Sequence, residues 1–387
     1  MLTMISRKLI APDRSFFLLG PRGTGKSTWL DQQFPSPGLR LDLLQQAAYL
    51  EYLTRPETLR EKVEVLSHQS WVIIDEIQRV PELLNEVHSL LFKSKSSPKF
   101  CLTGSSARKL RRVDSNMLAG RALSRQFFPL TVAELGSAVD IKQLLNFGAL
   151  PAVYSAPQDA IDLLDAYVST YLQTEIQQEA VTRNLAAFAR FLKVAALLNG
   201  QVVNVAGLAR DVGVKRPTVE RYFQILIDTL IGFWLPGWQP RVKVREKLSP
   251  KFYFFDGGVT RAILQRTRDK VRDEERGGLL ETIVLNELRS AMNYLNCGGE
   301  LSYYRNGEQS EIDFIWSRGK HAVGIEVKAS SRWRSEFGST LSRLQKEGVI
   351  QKGVGIYLGN EAQRSGSIDV FPLAQFAAEL ERGKILN

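Results

Sequence analysis

A glycine-rich segment, GPRGTGKST at positions 20–28, constrains the fold of this chain more than any other feature. It follows the apolar run FFLL at 16–19 and precedes a stretch with helical spacing, which is the context of a phosphate-binding loop between a strand and a helix. Its glycines allow the backbone to curl so that several N–H groups face one anion, and the helix N-terminus adds a favourable dipole. The segment therefore predicts an α/β fold with a parallel sheet.

The order of side chains in this segment assigns their roles. Lys26 is expected to reach the β- and γ-phosphates of a nucleoside triphosphate, and Ser27 is expected to offer its hydroxyl to Mg²⁺. A nucleoside triphosphate and Mg²⁺ are therefore the expected ligands of this loop. The expected cofactor-binding residues of the loop are Gly20, Pro21, Arg22, Gly23, Thr24, Gly25, Lys26, Ser27 and Thr28.

An acidic pair ends a second apolar strand, WVIIDEIQ at 71–78. A carboxylate at the end of a central strand can hold the Mg²⁺ shell, which assigns Asp75 to the metal. The next residue, Glu76, is placed to orient or deprotonate the attacking water and is the expected catalytic base.

A third strand, KFCLTGSS at 99–106, ends in polar residues. Thr103 or Ser105 could sense the γ-phosphate there, and a simple strand-to-loop turn is the alternative. Arg121, in LAGRALSR, is a candidate to neutralise charge in the transition state, within the chain or from a neighbouring subunit, and a surface arginine is the alternative. The sequence leaves open whether the chain forms an oligomer.

With these segments, the chain resembles the prokaryotic AAA-type P-loop ATPases that carry a C-terminal domain of unknown function. The resemblance rests on the phosphate loop, on IDEIQ at 74–78, on TGSSA at 103–107 and on LAGR at 118–121, and it covers nearly the whole chain. It implies a P-loop NTPase sheet that binds ATP and hydrolyses it slowly.

Hydropathy patterns divide the chain into three predicted domains. Residues 1–135 form the P-loop ATPase domain, 136–245 a helical linker with a winged helix-turn-helix, and 246–387 an α/β domain with a mixed sheet. Strands are predicted at 15–20, 39–44, 70–75, 99–104 and 124–130, helices at 26–33, 56–66 and 81–93, a helical run at 188–238, a strand and turn at 251–258, and a helix at 279–295 after the pair Gly277-Gly278.

The net charge of +10 is concentrated in the middle of the chain, because residues 181–270 contain 16 basic and 6 acidic residues. A basic segment between balanced ends indicates an anionic partner, nucleic acid first, with a solvated basic surface as the alternative. Within it, 204–236 has the pattern of a helix-turn-helix, with Gly213 at the turn and a final aromatic run that could form a wing. Its second helix is expected to present Lys215, Arg216 and Arg221 to DNA, and a protein-binding role is the alternative. The residues expected to pack inward are Leu208, Ala209, Val214, Val219, Phe223 and Leu226.

A predicted hairpin near the C-terminus carries charges on apolar strands, EIDFIW at 311–316 and VGIEVKAS at 323–330. Asp313 and Glu326 could converge on a divalent metal, and Lys328 projects to the same face as Glu326 because strand side chains alternate. Lys328 could then activate the attacking water.

This arrangement resembles the core of PD-(D/E)XK nucleases. The resemblance implies a further metal-binding glutamate on the preceding helix, with Glu281 as the best fit and Glu287 as the alternate. An ideal helix cannot direct both to one site, because they lie six residues apart. The alternative is an ion pair in an inactive nuclease-like fold.

The amino-acid composition limits the classes of protein to which this chain can belong. Apolar residues make up 44% and charged residues 24%, which is typical of a globular protein, and no apolar run approaches the ~20 residues of a membrane span. Cys101 and Cys297 predict no disulfide framework, so a cytoplasmic location is expected.

The favoured interpretation is an ATP-hydrolysing protein that engages DNA, with a C-terminal domain that binds or cuts it. The alternative is a nucleotide-operated signalling switch in which that domain is an inactive scaffold. A third interpretation, a toxin-like or phage-defence nuclease gated by ATP, would use the same residues as the favoured one.

Overall fold

The computed structural model of the chain describes residues 5–67, 69–93, 98–106, 118, 120–172, 185–239, 248–306 and 310–386. Contacts divide it into two compact units, one containing Arg7–Phe128 and the other containing Pro129–Ile227 and Ile231–Asn387. The three-domain division at 135 and 245 stays a prediction. No helix of the described residues is both long enough and apolar enough to cross a membrane.

The first unit contains a five-stranded sheet in which each pairing is parallel, in the order β2-β3-β4-β1-β5. Its central strands are apolar and buried, as in sheets covered on both faces. The carboxyl ends of β1, β3 and β4 therefore share one edge of the sheet. The strands are β1 (Phe16–Leu19), β2 (Leu39–Asp42), β3 (Trp71–Asp75), β4 (Lys99–Gly104) and β5 (Leu123–Gln126).

The predicted parallel α/β core with five strands is confirmed, with strand ends that differ from the prediction by no more than four residues. One helix, α2, was missed, because its Leu50 and Leu53 are about half exposed and it lacks a clear apolar stripe. The helices of this unit are α1 (Lys26–Gln33), α2 (Gln46–Thr54), α3 (Thr58–Glu64) and α4 (Leu83–Lys93), with a 3₁₀ turn at Ile77–Arg79.

The first part of the second unit is helical and includes a small antiparallel sheet in the order β6-β8-β7. The prediction that 188–238 is helical is wrong at two places, because β6 and β7 lie within this range. Its elements are α5 (Val132–Leu135), α6 (Ile141–Phe147), α7 (Pro151–Ser155), α8 (Ala160–Ala166), a π-helical turn at Tyr167–Leu172, α9 (Leu185–Leu197), β6 (Gln201–Val202), α10 (Val205–Val212), α11 (Arg216–Asp228), β7 (Gly232–Leu235), β8 (Lys251–Phe254) and α12 (Gly257–Ile263).

The rest of this unit is a mixed six-stranded sheet in the order β13-β14-β12-β11-β10-β9. A mixed sheet was predicted here, but the glycine pair lies inside helix α13 rather than before it. Gly278 packs closely there, since a Cβ at this position would lie 3.3 Å from the carbonyl oxygen of Asn199. The elements are α13 (Asp273–Tyr294), β9 (Glu300–Asn306), β10 (Ser310–Arg318), β11 (His321–Lys328), a 3₁₀ turn at Ser335–Gly338, α14 (Ser339–Lys346), β12 (Lys352–Tyr357), β13 (Gln363–Ser365), β14 (Ile368–Pro372) and α15 (Leu373–Glu381).

Candidate functional site

The loop between β1 and α1 has the backbone geometry that its glycines allow. Gly23 and Gly25 have φ values of +77° and +91°, in the left-handed region that favours glycine. Gly20 donates its N–H to the carbonyl oxygen of Gly104 at 3.1 Å, which ties the loop to the end of β4. The loop therefore begins at the edge where β1 and β4 end.

Lys26, the first residue of α1, folds back into this loop. Its Nζ donates to the carbonyl oxygens of Gly20 at 2.7 Å and Pro21 at 3.0 Å, and the residue is buried. Thr24 Oγ1 also donates to Pro21 O, at 2.8 Å. The ammonium group thus lies inside the loop, where it can neutralise phosphate charge.

Ser27, Asp75 and Thr103 meet at the same edge, as the sequence predicts for a metal-binding and a phosphate-sensing group. Ser27 Oγ donates to Asp75 Oδ2 at 2.9 Å, and Thr103 Oγ1 donates to Asp75 Oδ1. These are hard oxygen donors, and a hydroxyl beside a carboxylate suits Mg²⁺ that also binds nucleotide phosphates. The residues present therefore fit this cofactor.

Glu76 follows the strand in a strained backbone conformation, with φ of +59°. Its N–H donates to Thr103 Oγ1 at 3.2 Å, and its carboxylate accepts hydrogen bonds from Ser105 Oγ at 2.9 Å and from Gln78 Nε2. Both Glu76 and Ser105 are buried. The edge thus brings together the predicted base and both candidate sensor residues.

Arg121 is not brought to this edge. It precedes β5, and Leu123 N donates to Ser15 O, which lies just before β1. Arg121 is therefore at the amino end of the parallel strands, where its guanidinium lies over the Phe92 ring at 5.2 Å. Its role as a charge-neutralising residue from a neighbouring subunit stays a prediction, and Ala107 and Ala119 of the two neighbouring motifs lie outside the described residues.

The basic helix-turn-helix segment has the burial that its pattern predicts. Gly213 has φ of +74° between α10 and α11, and Lys215, Arg216 and Arg221 are exposed. Arg216 forms an exposed ion pair with Glu220 at 2.9 Å. The residues of the predicted inward face are buried or half-buried, namely Leu208, Ala209, Val214, Val219, Phe223 and Leu226.

The C-terminal hairpin brings its predicted charged residues together. Phe314 of β10 is paired with Ile325 of β11, so Asp313 and Glu326 are the next residues along each strand. Val327 N donates to Asp313 Oδ2 at 2.8 Å, and the ammonium of Lys328 is ion-paired with Glu326 Oε1.

Helix α13 contributes Glu281 to this cluster and directs Glu287 elsewhere. Tyr253 donates its hydroxyl to Glu281 Oε2 at 2.6 Å. Glu287 accepts from the backbone N–H groups of Val132 at 2.5 Å and Ala133 at 3.5 Å, at the start of α5. Glu287 is therefore a buried helix cap, and Glu281 is the glutamate beside the hairpin.

Two residues of this cluster, Lys251 and Tyr253 on β8, were missed by the sequence analysis. Lys251 is buried and its Nζ contacts Glu311 Oε1 at 2.6 Å. Between them, Phe252 points into the aromatic core of the helix-turn-helix segment, as does Phe254. A lysine within a buried aromatic strand was the available signal, because such a charge needs a partner.

Burial dominates the electrostatics of this C-terminal cluster. It raises the pKa of Glu281 to about 7, with Asp313 adding repulsion, and it raises the pKa values of Asp313 and Glu326 as well. Burial alone would lower the pKa of Lys251, but the carboxylates of Glu281, Asp313 and Glu311 raise it above its usual value. Burial therefore disfavours the charged form of these three carboxyl groups, and a nearby cation would stabilise that form.

Carboxylates are suitable ligands for a metal ion, but the contacts of these three groups make the cluster a poorer metal site. One oxygen of each is occupied, by Tyr253 on Glu281, by Val327 N on Asp313 and by Lys328 on Glu326. Glu326 Oε2 is buried and has no hydrogen-bond partner. Within the described ranges, no group of three His, Cys, Asp or Glu side chains is close enough together to hold a metal ion.

Comparison with known families divides the chain into three matched regions. Residues 12–136 match the family model described as "AAA domain" and support an AAA-type ATPase in this part of the chain. Residues 138–270 and 276–376 match two models described as domains of unknown function, DUF8612 and DUF4143. The nuclease-like interpretation of the last region stays a prediction.

Two curated mycobacterial proteins are similar to this chain. The uncharacterized protein Rv2008c of Mycobacterium tuberculosis and the uncharacterized protein Mb2031c of Mycobacterium bovis are each 29% identical to it over 265 residues. The alignment spans 67% of this chain and 59% of either relative, so more than a third of each relative lies outside it.

Solved structures give weaker likenesses. A DNA polymerase III gamma subunit-related protein of Thermotoga maritima is 11% identical with a TM-score of 0.24, covering 71% of this chain and 80% of its own. The DNA clamp loader delta protein of Bacillus subtilis is 9% identical with a TM-score of 0.28, covering 70% and 95%. TM-scores this low indicate nothing about the function of this chain.

Proposed function

We propose that this chain binds and hydrolyses ATP at the edge formed by β1, β3 and β4, and that it engages DNA through α11. The observation that supports the first part is the hydrogen-bonded group of Ser27, Asp75 and Thr103 beside the phosphate loop. The AAA domain match over residues 12–136 supports it independently.

In this proposal Lys26 exchanges its bonds to the loop carbonyls for bonds to the β- and γ-phosphates. Mg²⁺, when bound by Ser27 and Asp75, supplies neutralisation of charge on the phosphates. Glu76 accepts a proton from the attacking water, and Thr103 holds Asp75 in place. Each step uses a residue that already lies at the same edge.

DNA engagement is supported by the exposure of Lys215, Arg216 and Arg221 around the turn at Gly213. The order α9, β6, α10, α11, β7, β8 with the sheet order β6-β8-β7 is compatible with the expected winged helix-turn-helix. Exposed basic side chains at the start of such a second helix can contact phosphates in a major groove.

The second candidate is a nucleotide-operated switch in which the C-terminal domain is a scaffold. It is favoured by the lysines of the C-terminal cluster, because Lys328 and Lys251 already neutralise Glu326 and Glu311. Metal-dependent cleavage of nucleic acid by Asp313, Glu326, Lys328 and Glu281 is the competing proposal for that cluster.

Phosphate release from ATP and Mg²⁺, with and without duplex DNA, tests these proposals on the purified full chain. We expect turnover that DNA stimulates. Lys26→Ala should bind ATP roughly 10- to 100-fold more weakly, because a charged hydrogen-bond partner contributes about 1.5–3 kcal/mol, whereas the exposed control Lys142→Ala should bind normally. Tight retention of nucleotide without DNA affinity would favour the switch, and no ATP binding would contradict both.

A further inference from the structure

Gln78 lies at the nucleotide edge, yet the hydrolysis scheme gives it no role. It belongs to the 3₁₀ turn that follows β3 and is buried beside Glu76. Its Nε2 donates to Glu76 Oε2 and to Ser105 Oγ, the latter at 3.0 Å. Because Ser105 Oγ donates in turn to Glu76 Oε2, the three side chains close a ring of hydrogen bonds.

The donors of this ring are fully used. One N–H of the Gln78 amide goes to Glu76 and the other to Ser105, and the single hydroxyl proton of Ser105 goes to Glu76. Both bonds to the carboxylate fall on Oε2. Oε1 of Glu76 is thereby the oxygen left to accept a proton from water.

The protein makes room for Gln78 at a cost. A Cβ on Gly104 would lie 2.6 Å from Gln78 Oε1, so the absence of a side chain at the end of β4 admits the amide. Oε1 itself is buried without a hydrogen-bond partner, which is unfavourable for an amide. Glu76 adds backbone strain through its positive φ. Costs of this kind concentrate at sites where geometry serves a function.

We propose that Gln78, acting with Ser105, is a positioning residue that fixes the Glu76 carboxylate so that Oε1 faces the attacking water. The inference rests on the proposed ATP hydrolysis and extends it to a residue that contacts Glu76 and Ser105. A carboxylate held at one oxygen cannot rotate freely, so the proton-accepting oxygen stays aligned for the reaction.

The test compares steady-state ATP hydrolysis and ATP affinity in Gln78→Met, Ser105→Ala and the wild-type chain. Methionine matches the length of glutamine but makes none of the amide's hydrogen bonds. Gln78→Met should lower kcat roughly 10- to 100-fold, with KM and ATP affinity unchanged within about twofold. Ser105→Ala should give a smaller loss of kcat, because the Gln78 bond to Glu76 remains.

Two further variants separate positioning from general damage. Gly104→Ala should lower kcat in the same way, because its Cβ would displace the Gln78 amide. Gln158→Met changes an exposed glutamine of the other unit and should leave kcat unchanged. Thermal unfolding of each variant checks that the fold is retained.

The possible outcomes distinguish this inference from the function on which it rests. If the wild type hydrolyses ATP and Glu76→Gln does not, an unchanged kcat in Gln78→Met overturns the positioning role alone. A loss of kcat matched by an equal loss of ATP affinity or of folding overturns it too. If the wild type hydrolyses no ATP, the proposed function and the inference both fail.

Discussion

The hydroxyl of Tyr253 and the carboxylate of Glu281 lie 2.6 Å apart, which joins β8 to α13 through one hydrogen bond. Tyr253 also packs against Phe314, with ring centroids 6.1 Å apart. A strand of the small antiparallel sheet thus orients an acidic residue beside the mixed sheet. The C-terminal cluster is consequently built from four elements, β8, α13, β10 and β11.

Glu76→Gln should retain ATP binding and lose turnover by roughly 100-fold or more, because only the proton-accepting carboxylate is removed. Binding is measured by calorimetry and turnover by phosphate release. The exposed Glu57→Gln is the matched control and should behave as wild type. Unchanged turnover in Glu76→Gln would exclude this residue as the base.

The triple variant Lys215→Ala, Arg216→Ala, Arg221→Ala should bind duplex DNA more weakly and with a shallower dependence on salt. Each lost phosphate contact should reduce the slope of log K against log salt by about 0.9. Fluorescence anisotropy over a salt series measures both quantities.

The control for this experiment replaces three exposed basic residues outside α11 and outside the C-terminal domain, Arg14, Arg55 and Lys142, with alanine, so that net charge is matched. Equal affinity and slope in the triple variant and the wild type would assign α11 to a protein-binding role.

Asp313→Ala should abolish any Mn²⁺-dependent cleavage of nucleic acid and leave ATP turnover intact, because the two sites use different residues of different units. Lys328→Ala should keep metal binding and lose cleavage. Gel assays with Mg²⁺ or Mn²⁺, with and without ATP, measure cleavage, and calorimetry measures metal binding. If the wild type cuts nothing and shows no metal binding that depends on Asp313, the C-terminal domain is a scaffold.

Glu287→Gln should flatten part of the pH dependence of stability. Burial raises the pKa of Glu287 to about 8, well above the ordinary value of 4.5, with the Glu134 and Glu381 charges adding repulsion. The folded state therefore binds more protons than the unfolded state between these values, and stability falls as pH rises through this window.

Urea unfolding of the wild type and of Glu287→Gln at pH 5 and pH 8 measures how the stability of each depends on pH. The wild type should lose more stability than the variant, by up to a few kcal/mol, since each pKa unit corresponds to about 1.4 kcal/mol. Equal losses would show that Glu287 does not titrate in this range.

The group of residues at the edge formed by β1, β3 and β4 could be predicted because its sequence signals are local. The loop needs glycine at positions with positive φ, and the acidic pair follows a run of buried apolar residues, so each motif is contained in one short segment. The parallel sheet then brings Ser27, Asp75 and Thr103 to one place. The sequence identifies Gln78 only as part of the IDEIQ motif and does not predict its contact with Ser105, because that contact depends on the pairing of β3 with β4.

The C-terminal cluster was predictable only in part. The spacing of Glu326 and Lys328 is a property of one strand, but the choice between Glu281 and Glu287 depends on which face of α13 meets β8. Lys251 contacts Glu311 sixty residues further on, and nothing in the local pattern of β8 points to that partner. The pair Gly277 and Gly278 predicts a helix boundary, whereas the helix continues through both residues.

The alternation of side chains along β8 restricts how this protein can be divided. Phe252 packs against Phe223 and Trp234, with ring centroids 4.8 Å and 5.1 Å away, while Lys251 and Tyr253 face the opposite side. A fragment cut before residue 246 would keep this strand but remove β6 and β7 from its two edges and α11 from one face, which would expose Phe252 and Phe254 to water. We therefore expect a fragment that retains the C-terminal cluster to need the helix-turn-helix segment as well, because both depend on β8.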